Sequence, residues 1–228
     1  MDEPLDDEQL KTYWEGIRQH WEESRDSHTL SMGYEAYKVR LLHALSHVQK
    51  SLEVGFGDGK WIKFLTKQGI EAYGIDILEN AAIQLKKEEF SPVVADARYL
   101  PFEDNTFDLT YSFGVIEHFQ GTETAISEHV RVTVPGGKII ITVPYLISPH
   151  TLYWMALHIK RGTYEKRPAT FGKRYTIGQF KALLELHEVE HIVVEPFLFP
   201  IPTARTYYHE NPLLNRFGMM LWTEMIKK

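Results

Sequence analysis

The sequence predicts an α/β protein: a doubly wound, mostly parallel sheet with helices on both faces. Three observations carry that prediction. Short apolar runs alternate with amphipathic stretches from about residue 50 to residue 144. The apolar runs are continuous rather than alternating, as strands buried on both faces require. A glycine-rich turn, Gly55-Phe-Gly57-Asp-Gly59, stands directly between the first such run and the first amphipathic stretch.

The elements follow in order. The first eight residues hold five acids and read as a frayed tail. Leu10, Trp14, Ile17 and Trp21 then mark one helical stripe, and Tyr34, Tyr37, Leu41, Leu45 and Val48 a second. Ser51–Val54 reads as a strand, and Lys60–Gln68 as a helix stopped by Gly69. Glu71–Ile75 is the next strand, followed by a helix marked by Leu78, Ala81, Ala82 and Leu85. Pro92–Ala95 and Phe107–Ser112 are further strands, and Ile126–Val132 a further helix. Pro135-Gly136-Gly137 turns the chain into the β-rich run Lys138–Val143.

Past Pro144 the rhythm changes. Ser148-Pro149 has the chemistry of a helix start, cap then first-turn proline, ahead of the apolar Leu152–Ile159. Thr176-x-x-Gln179 is a capping-box pattern opening a helix that contains Phe180, Leu183 and Leu184. His191–Pro196 and Met219–Ile226 are expected as closing strands. The expected organisation is one domain over 1–228: an N-terminal helical cap (1–48), a core (49–145), a lid-like insertion (146–175), and a C-terminal helix with strands (176–228).

Composition narrows the function. The 228 residues have 43% hydrophobic and 25% charged side chains, ordinary globular values that exclude a wholly disordered chain. No apolar run approaches the roughly 20 residues needed to cross a bilayer, and MDEPLDDE is not a secretory leader, so a cytoplasmic location is expected. The absence of cysteine excludes disulfides, a thiolate nucleophile and Cys-based metal sites. A net charge of −6 speaks against a globally basic nucleic-acid binder. Oligomeric state stays open between monomer and homodimer.

The glycine turn is the most informative segment. Glycine allows a tight turn and a close backbone approach, and a helix N-terminus offers free N–H donors. Asp76 follows Gly55 at the end of the next strand, where a carboxylate can accept both hydroxyls of a ribose. A dinucleotide loop spaces its glycines G-x-G-x-x-G, but here the third comes one residue earlier. The acid Glu53 precedes the first, where it can sit beside a cationic ligand group. Asp96 ends the following strand, and its carboxylate could accept from an adenine amino group.

These segments, with Gly74-Ile-Asp76, Asp96-Ala-x-x-Leu100-Pro-Phe, Asn105-Thr-Phe-Asp108 and Val134-Pro-Gly-Gly137, resemble the class I S-adenosylmethionine-dependent methyltransferases. The resemblance covers about Ser51 to Pro144, and is specific to the family rather than to a substrate. It implies a seven-stranded sheet with a final antiparallel strand, supplied by Met219–Ile226. It also implies a cofactor, S-adenosylmethionine, held by Glu53, Gly55, Phe56, Gly57 and Gly59. Asp76 and Ile77 would lie at the ribose, Asp96 and Ala97 at the adenine, and Ser112 and Phe113 near the methyl donor. The N-terminal helix commonly closes over the cofactor in this family, and Tyr13, off the apolar stripe, is the candidate for that contact.

Methyl transfer is an in-line displacement, served mainly by alignment, with a base where the acceptor must lose a proton. The candidates are Glu117 and His118, just past the fourth strand; the alternative is a helix-start acid beside a packed histidine. Some relatives carry E-x-x-E-H here for a metal. This chain reads Gly114-Val-Ile-Glu117-His118, so no metal is expected. His43 and His47 are expected at the surface. Without cysteine, a cysteine methyl-carrier mechanism is excluded and direct transfer is expected. Tyr145, His150 and Trp154 are candidates to meet the acceptor, expected to be a small or medium organic molecule methylated on O or N. The segment 160–174 holds six basic residues and one acid, with Tyr164 and Phe171 interleaved. It reads either as a solvated loop or as a lid, and leaves open an RNA, protein, lipid or glycan acceptor. A non-catalytic S-adenosylmethionine-binding module is the other alternative.

Overall fold

The computed structural model describes residues 8–9, 11–16, 34–88, 90–162, 172–201, 207–209 and 212–228. Its strands are β1 (Lys50–Val54), β2 (Glu71–Asp76), β3 (Val93–Val94), β4 (Phe107–Phe113), β5 (Thr133–Pro144), β6 (Val189–Phe197), β7 (Phe199–Ile201), β8 (Tyr207–His209) and β9 (Met220–Lys227). Among the described residues, seven of these form one sheet in the order β3-β2-β1-β4-β5-β9-β6, while β7 and β8 pair separately. The pairs from β3 to β5 are parallel. β9 runs antiparallel to both β5 and β6, as the resemblance implied.

The helices are α1 (Tyr34–Ala44), α2 (Lys60–Lys67), α3 (Glu79–Lys86), α4 (Thr122–Val132), α5 (Pro149–Lys160), α6 (Ile177–Leu184) and α7 (Pro212–Asn215). Two cores result. On one face α1 and α2 pack Leu41, Trp61, Phe64 and Leu65 against Leu109, Tyr111 and Ile140. On the other, α4 and α6 pack Ile126, Val130, Phe180 and Leu184 against Leu52, Ile139 and Ile141. Each such buried side chain contributes about 1.5–3 kcal/mol. The strand order reverses between β1 and β4, and their neighbouring carboxyl ends splay into the crevice where ligands bind in open α/β sheets.

Local chemistry sets the boundaries. Helix α2 ends as Gly69 adopts φ 82°, with its amide bonded to the Thr66 carbonyl and that of Ile70 to Leu65. The capping box at Thr176 and Gln179 is formed in both directions. Ser148 caps α5 by accepting from the Thr151 amide, with Pro149 in the first turn. Helix α4 begins earlier than its apolar run, directly after Gly121 in the left-handed conformation. Pro135-Gly136-Gly137 forms a bulge rather than a free turn: Thr133 pairs with Phe107 and Lys138 with Leu109, leaving four residues opposite one. Leu10, Ile17 and Trp21 lie outside the described residues, as do Tyr164 and Phe171. No helix among the described residues is long and apolar enough to cross a membrane.

One histidine belongs to the core. His129 on α4 is fully buried; its Nδ1 lies 2.7 Å from the Ala125 carbonyl, so that nitrogen carries the proton. Burial drives its pKa from 6.5 down to about 4. The native state therefore binds fewer protons than the unfolded chain between those values. Stability is intact above pH 6.5 and falls with acidification toward pH 4. We predict a loss of about 3 kcal/mol by pH 4 from this group, read by urea unfolding against pH. A His129→Gln variant with the same acid dependence as wild type would contradict it.

Candidate active site

The crevice is assembled by the ends of three adjacent strands. After β1 the chain runs through Gly55, Gly57 and Gly59, all at positive φ. The amides of Gly55 and Phe56 donate to the Ile75 carbonyl, which ties the loop to β2. Asp76 then accepts from the Gly57 amide at 2.9 Å and, through its other oxygen, from the Leu78 amide at 2.9 Å. One buried carboxylate thus fixes both the glycine loop and the turn into α3. Gly57 needs φ 55°, and a Cβ there would meet nothing within 4 Å, so its backbone faces open space. That is a cradle in which a ligand can approach main chain directly.

Glu53 lies under this loop, 3% exposed. Burial first, then the charge of Asp58, push its carboxyl well above the ordinary range. Its contact with the Tyr111 hydroxyl is long, 3.4 Å. A ligand ammonium would offset that desolvation, so the residues present fit an amino-acid moiety bound at the loop. Ser112 at the end of β4 is fully buried, and its hydroxyl has no partner among the described residues. Phe113 points the other way, packing against Tyr37 and Trp222 with ring centroids 4.8 and 5.8 Å away.

Ile77 packs beside Phe56 and Leu78, and Ala97 is buried in the larger core. Asp96 is engaged by Arg98, whose side chain bonds both carboxylate oxygens and whose amide donates at 2.8 Å. Burial alone pushes Asp96 up, but the Arg98 contacts outweigh it and hold the carboxyl below its ordinary value. Arg98 also lies over the Phe119 ring. An i, i+2 acid–arginine pair was visible in the sequence, but nothing there showed that both oxygens would be taken.

Beyond β4, Glu117 is 4% exposed and its Oε2 has no hydrogen-bond partner among the described residues. Its Oε1 lies 3.6 Å from His118 Nε2. Burial pushes the Glu117 pKa up to about 8, only partly offset by a bond to its own backbone. The seal is Gly172: a Cβ there would stand 2.5 Å from Glu117 Cγ, so only glycine lets this strand of chain lie so close. Next to it, the Lys173 amide donates to the Glu117 carbonyl. Tyr145 and Tyr175 form a β-bridge at the base of the 146–175 segment, and His150 lies close enough to Arg174 for that charge to add to burial in lowering its pKa. The returning limb of the insertion therefore runs from the candidate catalytic pair to two candidate acceptor contacts. The Trp154 side chain lies outside the described residues. Gly172 carried no local motif.

The N-terminal helical residues 11–16 also reach the crevice. Trp14 meets the His118 ring edge-on at 4.9 Å and packs against the Phe56 cluster, while Tyr13 touches Trp14. The closer approach to the candidate base is thus made by the residue on the apolar stripe. His43 and His47 are exposed. No cluster of metal-ligating residues occurs among the described residues.

Residues 52–141 match the methyltransferase domain family. The chain is 34% identical over 103 residues to phosphoethanolamine N-methyltransferase 2 of Caenorhabditis elegans, covering 42% of this chain and 24% of that protein. It is 38% identical over 103 residues to the chloroplastic tocopherol O-methyltransferase of Arabidopsis thaliana, covering 41% and 30%. The chain thus spans under a third of the length of these two relatives. In structure it resembles a possible histamine N-methyltransferase of Thermotoga maritima, with TM-score 0.71, 19% identity, and 96% and 100% of the two chains covered. The matched domain and the relatives support a class I S-adenosylmethionine-dependent methyltransferase family for residues 52–141, and the sheet order is that of the methyltransferase fold.

Glu117 generates a stability prediction. Its folded pKa of about 8 exceeds the ordinary 4.5, so the native state holds a proton that the unfolded chain has lost between those values. Stability is greatest below pH 4.5 and declines as pH rises through 8. Glu117→Gln should therefore stabilise the protein above pH 8, on the order of 4 kcal/mol, and leave it nearly unchanged at pH 5. Equal effects of the substitution in thermal unfolding at both pH values would refute the assignment.

Proposed function

We propose that the protein transfers a methyl group from S-adenosylmethionine to an oxygen or nitrogen of a small or medium organic acceptor. The observation that carries this reading is the convergence of the open Gly57 backbone, the doubly bonded Asp76 and the buried Glu53 in one crevice. Bound there, the cofactor supplies a sulfonium methyl carbon open to in-line displacement. Glu53 receives the ammonium, the Gly55–Gly59 amides face the amino-acid end, and Asp76 turns its carboxylate to the ribose. Ile77, Ala97 and Asp96 flank the adenine, with Ser112 and Phe56 along the floor; the Phe113 ring, turned toward Tyr37 and Trp222, does not face the cofactor.

His118 takes the proton released by the acceptor, and Glu117 tunes it. Near neutrality Glu117 is largely protonated, so it stands beside the imidazole as a neutral acid. Above pH 8 it ionises and sets a carboxylate beside the imidazole. Tyr145, His150 and Trp154 border the acceptor, and Trp14 with Tyr13 excludes water from one side. The relatives' own names divide between an N- and an O-methyltransferase, which supports a small-molecule acceptor without choosing the atom. The absence of a membrane-crossing helix among the described residues is in keeping with a cytoplasmic enzyme.

Three measurements test this reading. Calorimetry with S-adenosylhomocysteine should show affinity falling roughly tenfold or more in Asp76→Ala, because the Gly57 and Leu78 amides lose their acceptor together with the ribose contact; unchanged affinity would sink the assignment. With an accepted substrate, His118→Ala should lower kcat by about 10²-fold. The wild-type rate profile should inflect near pH 8, with that inflection gone in Glu117→Gln. Undiminished turnover without His118 would remove it as the base.

A further inference from the structure

Helix α5 has an unusual balance of exposure. Among its described side chains only Thr151 is buried, held by Ser148 and the Tyr145 carbonyl. Leu152, Tyr153 and Ile159 are 50%, 63% and 63% exposed, and Ile147 just ahead of the cap is 53% exposed. Leu152, Ala156 and Ile159 fall at i, i+4 and i+7, so they share one face. Lys160 and Arg161 follow, both exposed, and open the stretch 160–174 with six basic residues and one acid. That stretch is formally +5 on a chain whose total is −6.

From this pairing we infer that α5 is a docking helix for an anionic lipid bilayer. The aliphatic face suits the boundary between headgroups and acyl chains, and Lys160 and Arg161, exposed at its C-terminal end, attract anionic headgroups. The acidic remainder of the chain is repelled by the same surface, so the protein is oriented with α5 downward. Nucleic acid would engage the basic residues but offers no apolar medium for Leu152 and Ile159, which favours the bilayer. The Ser148 cap and the Tyr145–Tyr175 bridge fix the helix at the edge where the crevice opens. Docking there presents the acceptor side of the crevice to an amphiphile dissolved in the membrane; this last step, unlike docking itself, rests on the methyl-transfer reading.

The test is flotation of the full chain with phosphatidylcholine vesicles containing about a third phosphatidylglycerol, compared with phosphatidylcholine alone. Binding should be confined to the anionic vesicles, weaken with salt, and fall roughly tenfold or more in Leu152→Ser/Ile159→Ser. Both side chains are half exposed or more, so this variant should keep the wild-type melting temperature and S-adenosylhomocysteine affinity. Lys160→Glu/Arg161→Glu should lose binding at low salt. The inference is overturned if the chain does not float, or if the serine substitutions leave vesicle affinity unchanged. It is equally overturned if they instead dissolve a dimer seen by size exclusion, or if the basic stretch binds RNA and not vesicles. Failure to bind S-adenosylhomocysteine would refute the methyl-transfer reading and leave the docking result standing.

Discussion

The hydrogen bond from the Gly57 amide to Asp76 is the joint on which the crevice depends. Parallel pairing of β1 with β2 brings Val54 opposite Ile75, so the two strand ends arrive together. Only a chain that turns immediately through left-handed conformations can then enter α2 without crossing β2. Asp76 holds that turn from one oxygen and the start of α3 from the other. The Leu78 bond is buried, while the Gly57 bond lies at the edge of the crevice, partly buried. The positions of Glu53 below the loop and of Ser112 beside it follow from the same pairing, because β4 is registered on β1 with Glu53 opposite Tyr111.

Electrostatics divides the molecule. The crevice holds two buried acids: Glu53 and Glu117 are both pushed upward by burial, and the imidazole of His118 stands 3.6 Å from Glu117. Such groups detract from stability at neutral pH and are retained where a ligand or a proton transfer uses them. The core behind α4 shows the opposite titration, with His129 held neutral. Together the two groups whose values lie within reach, His129 and Glu117, leave a broad plateau from about pH 4.5 to 6.5, with stability declining on either side.

Much of this was legible in the sequence, for physical reasons. The glycine loop, Asp76 and the strand rhythm are local signals, set by backbone conformation and periodicity, and the observed sheet follows them. The capping box at Thr176 and the cap at Ser148 were equally local. Other features required three dimensions. Gly172 matters only because residue 117 lies beneath it, far away in sequence. His129 falls among Ile126 and Val130 on the buried face of α4, a spacing that marks burial but not the orphaned Nε2. The Pro135–Gly137 bulge depends on where β4 sits, and Arg98 claims Asp96 through a rotamer that no pattern encodes. Trp14 reads as core from its stripe, yet its edge rests on His118.

Outside the sheet, residues 11–16 and the returning limb of the insertion converge on the Glu117–His118 pair, through Trp14 on His118 and Gly172 on Glu117. On the proposed reading, acceptor choice belongs to them and cofactor binding to the joint at Asp76. Amide hydrogen exchange with and without S-adenosylhomocysteine tests that division most directly. The account predicts slowed exchange at residues 55–59, 77–78 and 112–118 in the presence of the ligand. Protection confined to other segments, or none at saturating ligand, would contradict it.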